Sequence, residues 1–401
     1  MTNWIERESK VFMTTGGRRL KTTIVRGQGA RVWDDAGKEY LDFMGGWAVT
    51  SLGHCHPAIV EALQRQASTL IMTSNDVYTI PQIELAEQLI ANSCMDRIFF
   101  ANSGAEANEG AVKLARKWGK LHRNNAYEVI TTDHSFHGRT LSMVAATGKP
   151  EGRVIYEPVP QGFVTVPYDN IEALRGATNE KTVAIMLEPV QGEGGVNVPS
   201  DDYLKQVRAW CDEAGLLLIL DEVQTGVGRT GTLWGYQSAG IEPDIMTLAK
   251  GLGGGVPISA LLAKQDVAVF TPGDHGSTYG GNPLVCAGAL AAFTYIVEHD
   301  MPGHARDVGE YFQAKLRGLQ QKHGGLIREI RGRGLLVGME LTQNVAMPIV
   351  TEALHRGMLL NAVNDNTIRF MPPLIITEQD VDEAIGILDG VLADVPAIVH
   401  A

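Results

Sequence analysis

Between about residues 57 and 290 the chain alternates two textures: stretches with apolar residues three and four apart, and short runs of aliphatic residues. Val129 to Thr132, Val183 to Leu187, Leu216 to Leu220, Ile245 to Leu248 and Ile258 to Leu262 lack an alternating polar face, so they predict strands buried on both sides. The helical stretches between them predict the layers that bury those strands, and short connections of this kind imply a largely parallel sheet. Upstream, Arg31 to Phe43 reads as two short strands around an Asp-Ala-Gly-Lys turn. After about residue 295 the pattern changes to charged amphipathic helices, Arg306 to His323 and Met347 to Arg356, with strands near Gly334 to Leu341 and Thr367 to Met371. The expected organisation is α/β: a large domain over 57–295, a smaller α+β domain over 296–401, and an N-terminal segment, 1–56, that joins the smaller one.

In such a sheet ligands sit beyond the carboxyl ends of the strands, and here those ends carry Glu188, Asp221 and Lys250. Asp221 follows five aliphatic residues, so its carboxylate is expected to be partly buried and in need of a cationic partner. Lys250 lies between Ala249 and the run Gly251-Leu252-Gly253-Gly254-Gly255. Desolvation beside a cationic ring lowers a lysine pKa and makes the amine a nucleophile. A buried acid paired with such a lysine matches a cationic aromatic cofactor that bonds to an amine, pyridoxal 5′-phosphate (PLP). Gln224, three residues past Asp221, either hydrogen-bonds the ring's phenolic oxygen or caps a turn.

Asn102-Ser103-Gly104-Ala105-Glu106 precedes Ala107, Ala111, Leu114, Ala115, Trp118 and His122 at helical spacing. Ser103, Gly104 and Ala105 therefore fall at a helix N-terminus, which is either a phosphate seat or an ordinary serine cap. In Ser135-Phe136-His137-Gly138-Arg139-Thr140, Phe136 either stacks on a flat ring or fills core, and Arg139 either grips a carboxylate or forms a surface ion pair. The loop His275-Gly276-Ser277-Thr278 offers two hydroxyls and free amides, a phosphate cradle or a plain turn. His54-Cys55-His56 reads as a loop entering a helix at Pro57 rather than as a metal site, and no metal is expected.

Composition narrows the partners. A chain of 401 residues, 44% apolar, buries a large core unaided by disulfides, and its four cysteines lie far apart without a Cys-x-x-Cys pair, as suits a reducing cytoplasm. A net charge of −12 with no basic cluster excludes a nucleic-acid footprint. The longest aliphatic run, Leu216 to Leu220, is far short of a membrane span, and the N-terminus mixes Glu6, Arg7, Glu8 and Lys10, so neither membrane insertion nor export is expected. A dinucleotide site is disfavoured because no Gly-x-Gly-x-x-Gly opens a helix after a first strand.

Taken in order, these motifs resemble the class III PLP-dependent aminotransferases, from about Gly27 to Pro373. Asp221 through Gly255 carries the likeness most strongly, supported by Asn102 to Asn108, Phe136 to Thr140, Glu188-Pro189-Val190-Gln191-Gly192-Glu193-Gly194-Gly195 and His275 to Thr278. The resemblance implies the fold-type I PLP transferase architecture and a homodimer with shared active sites. It makes Lys250 the catalytic lysine, pairs Asp221 with the ring nitrogen and sets Gln224 on the ring oxygen. Phe136 stacks on the ring; Ser103, Gly104 and Ala105 hold the phosphate, with Thr278 reaching it from the neighbouring subunit; Glu222 and Val223 complete the cofactor contacts. The implied reaction moves an ω-amino group to 2-oxoglutarate, and among members of the family the chain looks most like those acting on N-acetylornithine. 4-Aminobutyrate, ornithine, succinylornithine and succinyl-diaminopimelate remain rival donors, and an aminomutase or racemase a rival activity.

By the same pattern Arg139 takes the carboxylate far from the reacting nitrogen, and Arg369 takes the near carboxylate of glutamate. A donor with a bare CH₂ there would leave Arg369 uncompensated, and Glu193 is expected to neutralise it. Ser277 is placed at the substrate. Trp47, in Gly45-Gly46-Trp47-Ala48-Val49, stands where, by the family pattern, ornithine-specific members carry a tyrosine and acetylornithine members a smaller aliphatic; indole lacks the phenol's acceptor oxygen, which tilts against free ornithine and leaves the donor's acyl group, acetyl or succinyl, open.

Overall fold

The computed structural model describes residues 3–15 and 19–399. Near the N-terminus β1 (Ile24–Gln28), β2 (Arg31–Asp34) and β3 (Glu39–Asp42) form an antiparallel meander. Seven strands then build the main sheet: β4 (Arg97–Ala101), β5 (Glu128–Thr132), β6 (Phe163–Val166), β7 (Thr182–Leu187), β8 (Leu217–Asp221), β9 (Ile245–Leu248) and β10 (Ser259–Ala263). Their spatial order is β4-β10-β9-β8-β7-β5-β6. The neighbours from β9 to β6 pair in parallel, whereas β10 runs antiparallel to both β4 and β9.

The five aliphatic runs of the sequence are thus strands of one sheet, within a residue or two at each end. The two strands without such a run, β4 and β6, are its edges. They are partly exposed and so lack the unbroken apolar signature of strands covered on both faces. In the centre, alternate residues divide between two cores: Leu217 and Ile219 pack with Ala111 and Leu114 of helix Gly104–His122, while Leu218 and Leu220 pack with Phe293 and Val207 on the opposite face. Each fully buried leucine or isoleucine contributes roughly 1.5–3 kcal/mol.

The C-terminal part adds β11 (Ile327–Arg333), β12 (Leu336–Leu341), β13 (Met358–Leu359), β14 (Asn361–Ala362) and β15 (Thr367–Phe370). β11-β12-β15-β14 form a separate antiparallel sheet covered by helices Met301–Lys322, Ala346–His355 and Glu378–Val399. The N-terminal meander packs with it: β13 pairs in parallel with β3, and Phe312 meets Phe43 and Phe370 edge-on at 5.4 and 5.2 Å. No single helix among the described residues is long and apolar enough to cross a membrane.

Candidate active site

Asp221 ends β8 on the face packed by helix Gly104–His122, and its carboxylate is buried. Asn108 Nδ2 donates to Oδ2 at 2.7 Å, and His137 Nδ1 meets the same oxygen at 2.8 Å. Among the described residues Oδ1 receives only the Val223 amide, at 3.0 Å. Thr247 Oγ1 and the His137 carbonyl fix Asn108 in turn. Burial works against a charged His137 ring, but the Asp221 hydrogen bond and the charges of Asp221 and Glu188 outweigh it and raise its pKa. Glu188 is buried beside this group, where loss of hydration raises its pKa; its Oε2 accepts the Phe136 amide at 3.1 Å.

Lys250 follows β9 with φ of +33°, a strained value for a residue with a Cβ and one that collects at functional sites. Its amine forms no hydrogen bond among the described residues. Burial lowers its pKa, against the opposing pull of Glu193. Lys250 and Asp221 line one cavity of about 440 Å³ together with Ser103, Gly104, Phe136 and Arg139. This is an ordinary size for a small-molecule site. At one end Ser103 caps helix Gly104–His122, its Oγ accepting from the Glu106 amide. The amides of Gly104 and Ala105 stay free of intrahelical partners and, with the helix dipole behind them, suit an anion. A side chain at 104 would not fit, because a Cβ there lies 2.9 Å from Val223 Cγ1.

At the other end Glu193 Oε1 lies 2.7 Å from Arg369 Nη1. Gln224 bridges the two, its Oε1 accepting from Arg369 at 3.1 Å and its Nε2 donating to Glu193 at 3.3 Å. Gln224 is therefore neither a turn cap nor free to reach elsewhere without breaking this ring. Glu193 and Gln224 line the cavity, and Arg369 sits behind them, 1% exposed. Burial opposes ionisation of Glu193, yet the Arg369 charge prevails and holds its pKa at about 2. Arg139 stands exposed at the cavity wall, its guanidinium 5.8 Å from the centre of the Phe136 ring, and forms no ion pair among the described residues.

Not every expected residue reaches the cavity. Val223 does, but the Glu222 carboxylate turns the other way and accepts from Thr225 Oγ1 and from the Gly235 and Tyr236 amides. A buried carboxylate is satisfied there by three donors, so Glu222 is a brace for the loop rather than a wall of the site. Ser277 is occupied by Asn102 Nδ2 and the Gly280 amide, and Thr278 is exposed on the same loop; neither lines the cavity of its own chain. Trp47 is likewise outside it, 47% exposed. Gly45, Gly46, Trp47 and Ala48 all have φ between +56° and +64°, a single left-handed turn that brings Val49 to the cavity. Two residues with side chains in that conformation cost roughly 1–2 kcal/mol each. Asp42 holds the turn by accepting from the Met44 and Gly45 amides.

The structure also assembles residues that sequence reasoning left out. Asn108 is a polar residue on the buried face of an amphipathic helix, a signal that was available. His137 was visible only as the neighbour of Phe136. Asn361 accepts from Arg369 and lies on a strand two residues long, too short to leave a pattern.

A buried acid and a lysine without a hydrogen-bond partner among the described residues line one cavity with bare amides at a helix N-terminus, and these suit a cationic ring, an aldehyde and a phosphate respectively. The class so defined is a PLP-dependent transferase on a mostly parallel sheet. The sequence model of the class III aminotransferases matches residues 12–392, and the chain belongs to that family. It is 51% identical over 392 residues to the acetylornithine aminotransferase of Caldanaerobacter subterraneus subsp. tengcongensis, covering 98% of this chain and 99% of that one. To the acetylornithine aminotransferase of Methanocaldococcus jannaschii it is 49% identical, with 98% of each covered. Among solved structures, the ornithine aminotransferase of Toxoplasma gondii superposes with a TM-score of 0.95 at 35% identity, covering 99% and 96%. The acetylornithine aminotransferase of Elizabethkingia anophelis does so with 0.88 at 35%, covering 98% of each.

Proposed function

We propose that the chain transfers the ω-amino group of N2-acetyl-L-ornithine to 2-oxoglutarate, giving the semialdehyde and L-glutamate. The relatives at about half identity named for acetylornithine support the donor. The observation that carries the two-substrate reading is the Glu193–Arg369 pair at 2.7 Å, closed over one end of the cavity while Arg139 stands at the wall with no ion pair among the described residues. In this state the site offers one free guanidinium, which suits a donor with a carboxylate only at its far end. Glutamate and 2-oxoglutarate, with two carboxylates, need Arg369 as well, so Glu193 must withdraw for them.

When bound, PLP would supply an aldehyde for the amino group and a pyridinium able to draw electrons from the adjacent carbon. Asp221 would pair with the ring nitrogen, and Asn108 and His137 hold its carboxylate in place. The Gly104 and Ala105 amides would hold the phosphate, and Phe136, in the same cavity, would cover the ring. Lys250 Nζ, poorly hydrated and unpaired, takes the proton from the substrate carbon that bears nitrogen. One cavity serves both substrates, so the first product leaves before the second substrate enters and the kinetics are ping-pong.

The site is assigned to a homodimer in the cytoplasm. Thr278 lies on an exposed loop, and Asn75 ties that loop to the segment 70–83 by donating to the Ser277 and Gly280 carbonyls. This segment exposes Leu70, Ile71, Val77, Tyr78 and Ile80, an apolar band that a second copy would cover while receiving Thr278. All four cysteines are free, in keeping with a reducing compartment.

A panel of half-reactions tests the donor: the holoenzyme is mixed with N-acetylornithine, ornithine, 4-aminobutyrate or succinylornithine, and loss of its visible absorbance is timed. N-acetylornithine is expected to react with the largest second-order constant. A tenfold preference for ornithine or 4-aminobutyrate refutes the assignment.

A further inference from the structure

Arg369 is held from behind by a neutral group. Asn361 Oδ1 accepts from Arg369 Nε at 3.1 Å and from Nη2 at 2.9 Å. The two residues are direct cross-strand partners in β14 and β15, so the contact is fixed by the register of the sheet. A guanidinium only donates, so the Asn361 amide must present its oxygen. One oxygen bound to both Nε and Nη2 occupies the side fork of the guanidinium. That leaves the end fork, Nη1 with Nη2, as the seat for a carboxylate. Nη1 now goes to Glu193 and Gln224, while the second Nη2 hydrogen has no partner among the described residues.

We infer that Asn361 is a positioning residue that aims the end fork of Arg369 at the near carboxylate of 2-oxoglutarate while leaving its charge uncancelled, an inference that rests on the two-carboxylate role of Arg369 proposed above. Position 361 is the side-fork site, and an aspartate there would fit it with two parallel hydrogen bonds and full charge. Arg369 would then be permanently neutralised. Release of Glu193 would expose a spent ion pair, and an incoming carboxylate would gain little and be repelled by the new anion. Asparagine supplies the same geometry without the charge. Strands are poor in asparagine, so local propensity does not explain its presence. Gln224 completes the arrangement as a second neutral acceptor. It lies flat on Gly192, where a Cβ would stand 1.8 Å from its Oε1. With Asn361 and Gln224 both uncharged, Glu193 is the only anion bonded to Arg369 among the described residues, so its withdrawal would be enough to free the charge.

The test uses holoenzyme with Asn361→Asp, Asn361→Ala and Arg369→Lys. One readout is the dissociation constant of glutarate, a dicarboxylate that cannot react, by calorimetry. The other is the ratio of the 2-oxoglutarate to the N-acetylornithine half-reaction rates. Asn361→Asp is expected to weaken glutarate at least tenfold and to lower the ratio by a similar factor. Asn361→Ala, which removes the pin but adds no charge, is expected to weaken glutarate about threefold to fivefold. If alanine harms as much as aspartate, or if aspartate leaves glutarate unchanged, the charge argument is overturned. Should the aspartate variant not fold, unchanged glutarate affinity in the alanine variant overturns the pinning. Unchanged affinity in Arg369→Lys would instead show that the role of Arg369 is wrong, whatever Asn361 does.

Discussion

Glu193, Gln224 and Arg369 close a hydrogen-bonded ring beside the cavity that Asp221 and Lys250 line. Asp221 and Lys250 were legible because each interrupts an apolar context, one after five aliphatics and the other before glycines, and burial of an ionisable group demands a reason. Asn361, Asn108 and His137 were not, since their roles come from partners 8, 113 and 84 positions away that only the fold brings near. Glu193 lies between these cases: its pairing with Arg369 was expected from the family pattern, the bridge that Gln224 makes between the two was not. Its folded pKa of about 2 lies below that of an ordinary glutamate near 4.5, so the stability of the pair is present above the unfolded value and lost as pH falls through about 2. Protonation therefore cannot open the switch near neutrality; a competing carboxylate must. Two outcomes follow. The ratio of the two half-reaction rates should show no inflection from Glu193 between pH 5.5 and 8, roughly the range well above its titration. Glu193→Gln should slow the N-acetylornithine half-reaction relative to the glutamate one by about tenfold, or about 1.4 kcal/mol. A ratio unchanged in stopped-flow traces of the variant contradicts the switch.

At the scale of elements, the central strands were readable because two covered faces leave no polar alternation, and the edge strands were not because one face or end meets solvent. The left-handed turn at Gly45 to Ala48 escaped for a different reason: Gly45-Gly46 signals a turn, but nothing local requires Trp47 and Ala48 to follow at positive φ. Helix Gly104–His122 links the levels, since its first turn is both a cap and an anion seat. Its N-terminus is packed tightly, and Gly104→Ala should cost about 1–3 kcal/mol by overpacking against Val223 and loosen PLP several-fold. The contrast is Gly318 in helix Met301–Lys322, where a Cβ meets nothing within 4 Å. Gly318→Ala should raise stability by about 0.5–1 kcal/mol without touching PLP affinity. Urea unfolding and fluorescence titration of PLP check both, and equal behaviour of the two variants would show that the close approach at Gly104 is immaterial.

For the whole molecule, the two sheets meet where the site is: Arg369 comes from β15, Glu193 and Gln224 from loops after β7 and β8, and Lys250 from the end of β9. Such a site depends on the C-terminal part staying seated on the main sheet. Assembly should matter as much. In the proposed homodimer Tyr78, 94% exposed in the band beside the Thr278 loop, would lie at the interface, so Tyr78→Lys should shift sedimentation from dimer to monomer and release PLP. A PLP-saturated monomer in that variant would contradict the shared site. The most direct measurement is reduction of the holoenzyme with borohydride followed by peptide mapping. The expected result is loss of the visible absorbance and one phosphopyridoxyl group on the peptide containing Lys250. An adduct on another lysine, or none at all, would contradict the account at its centre.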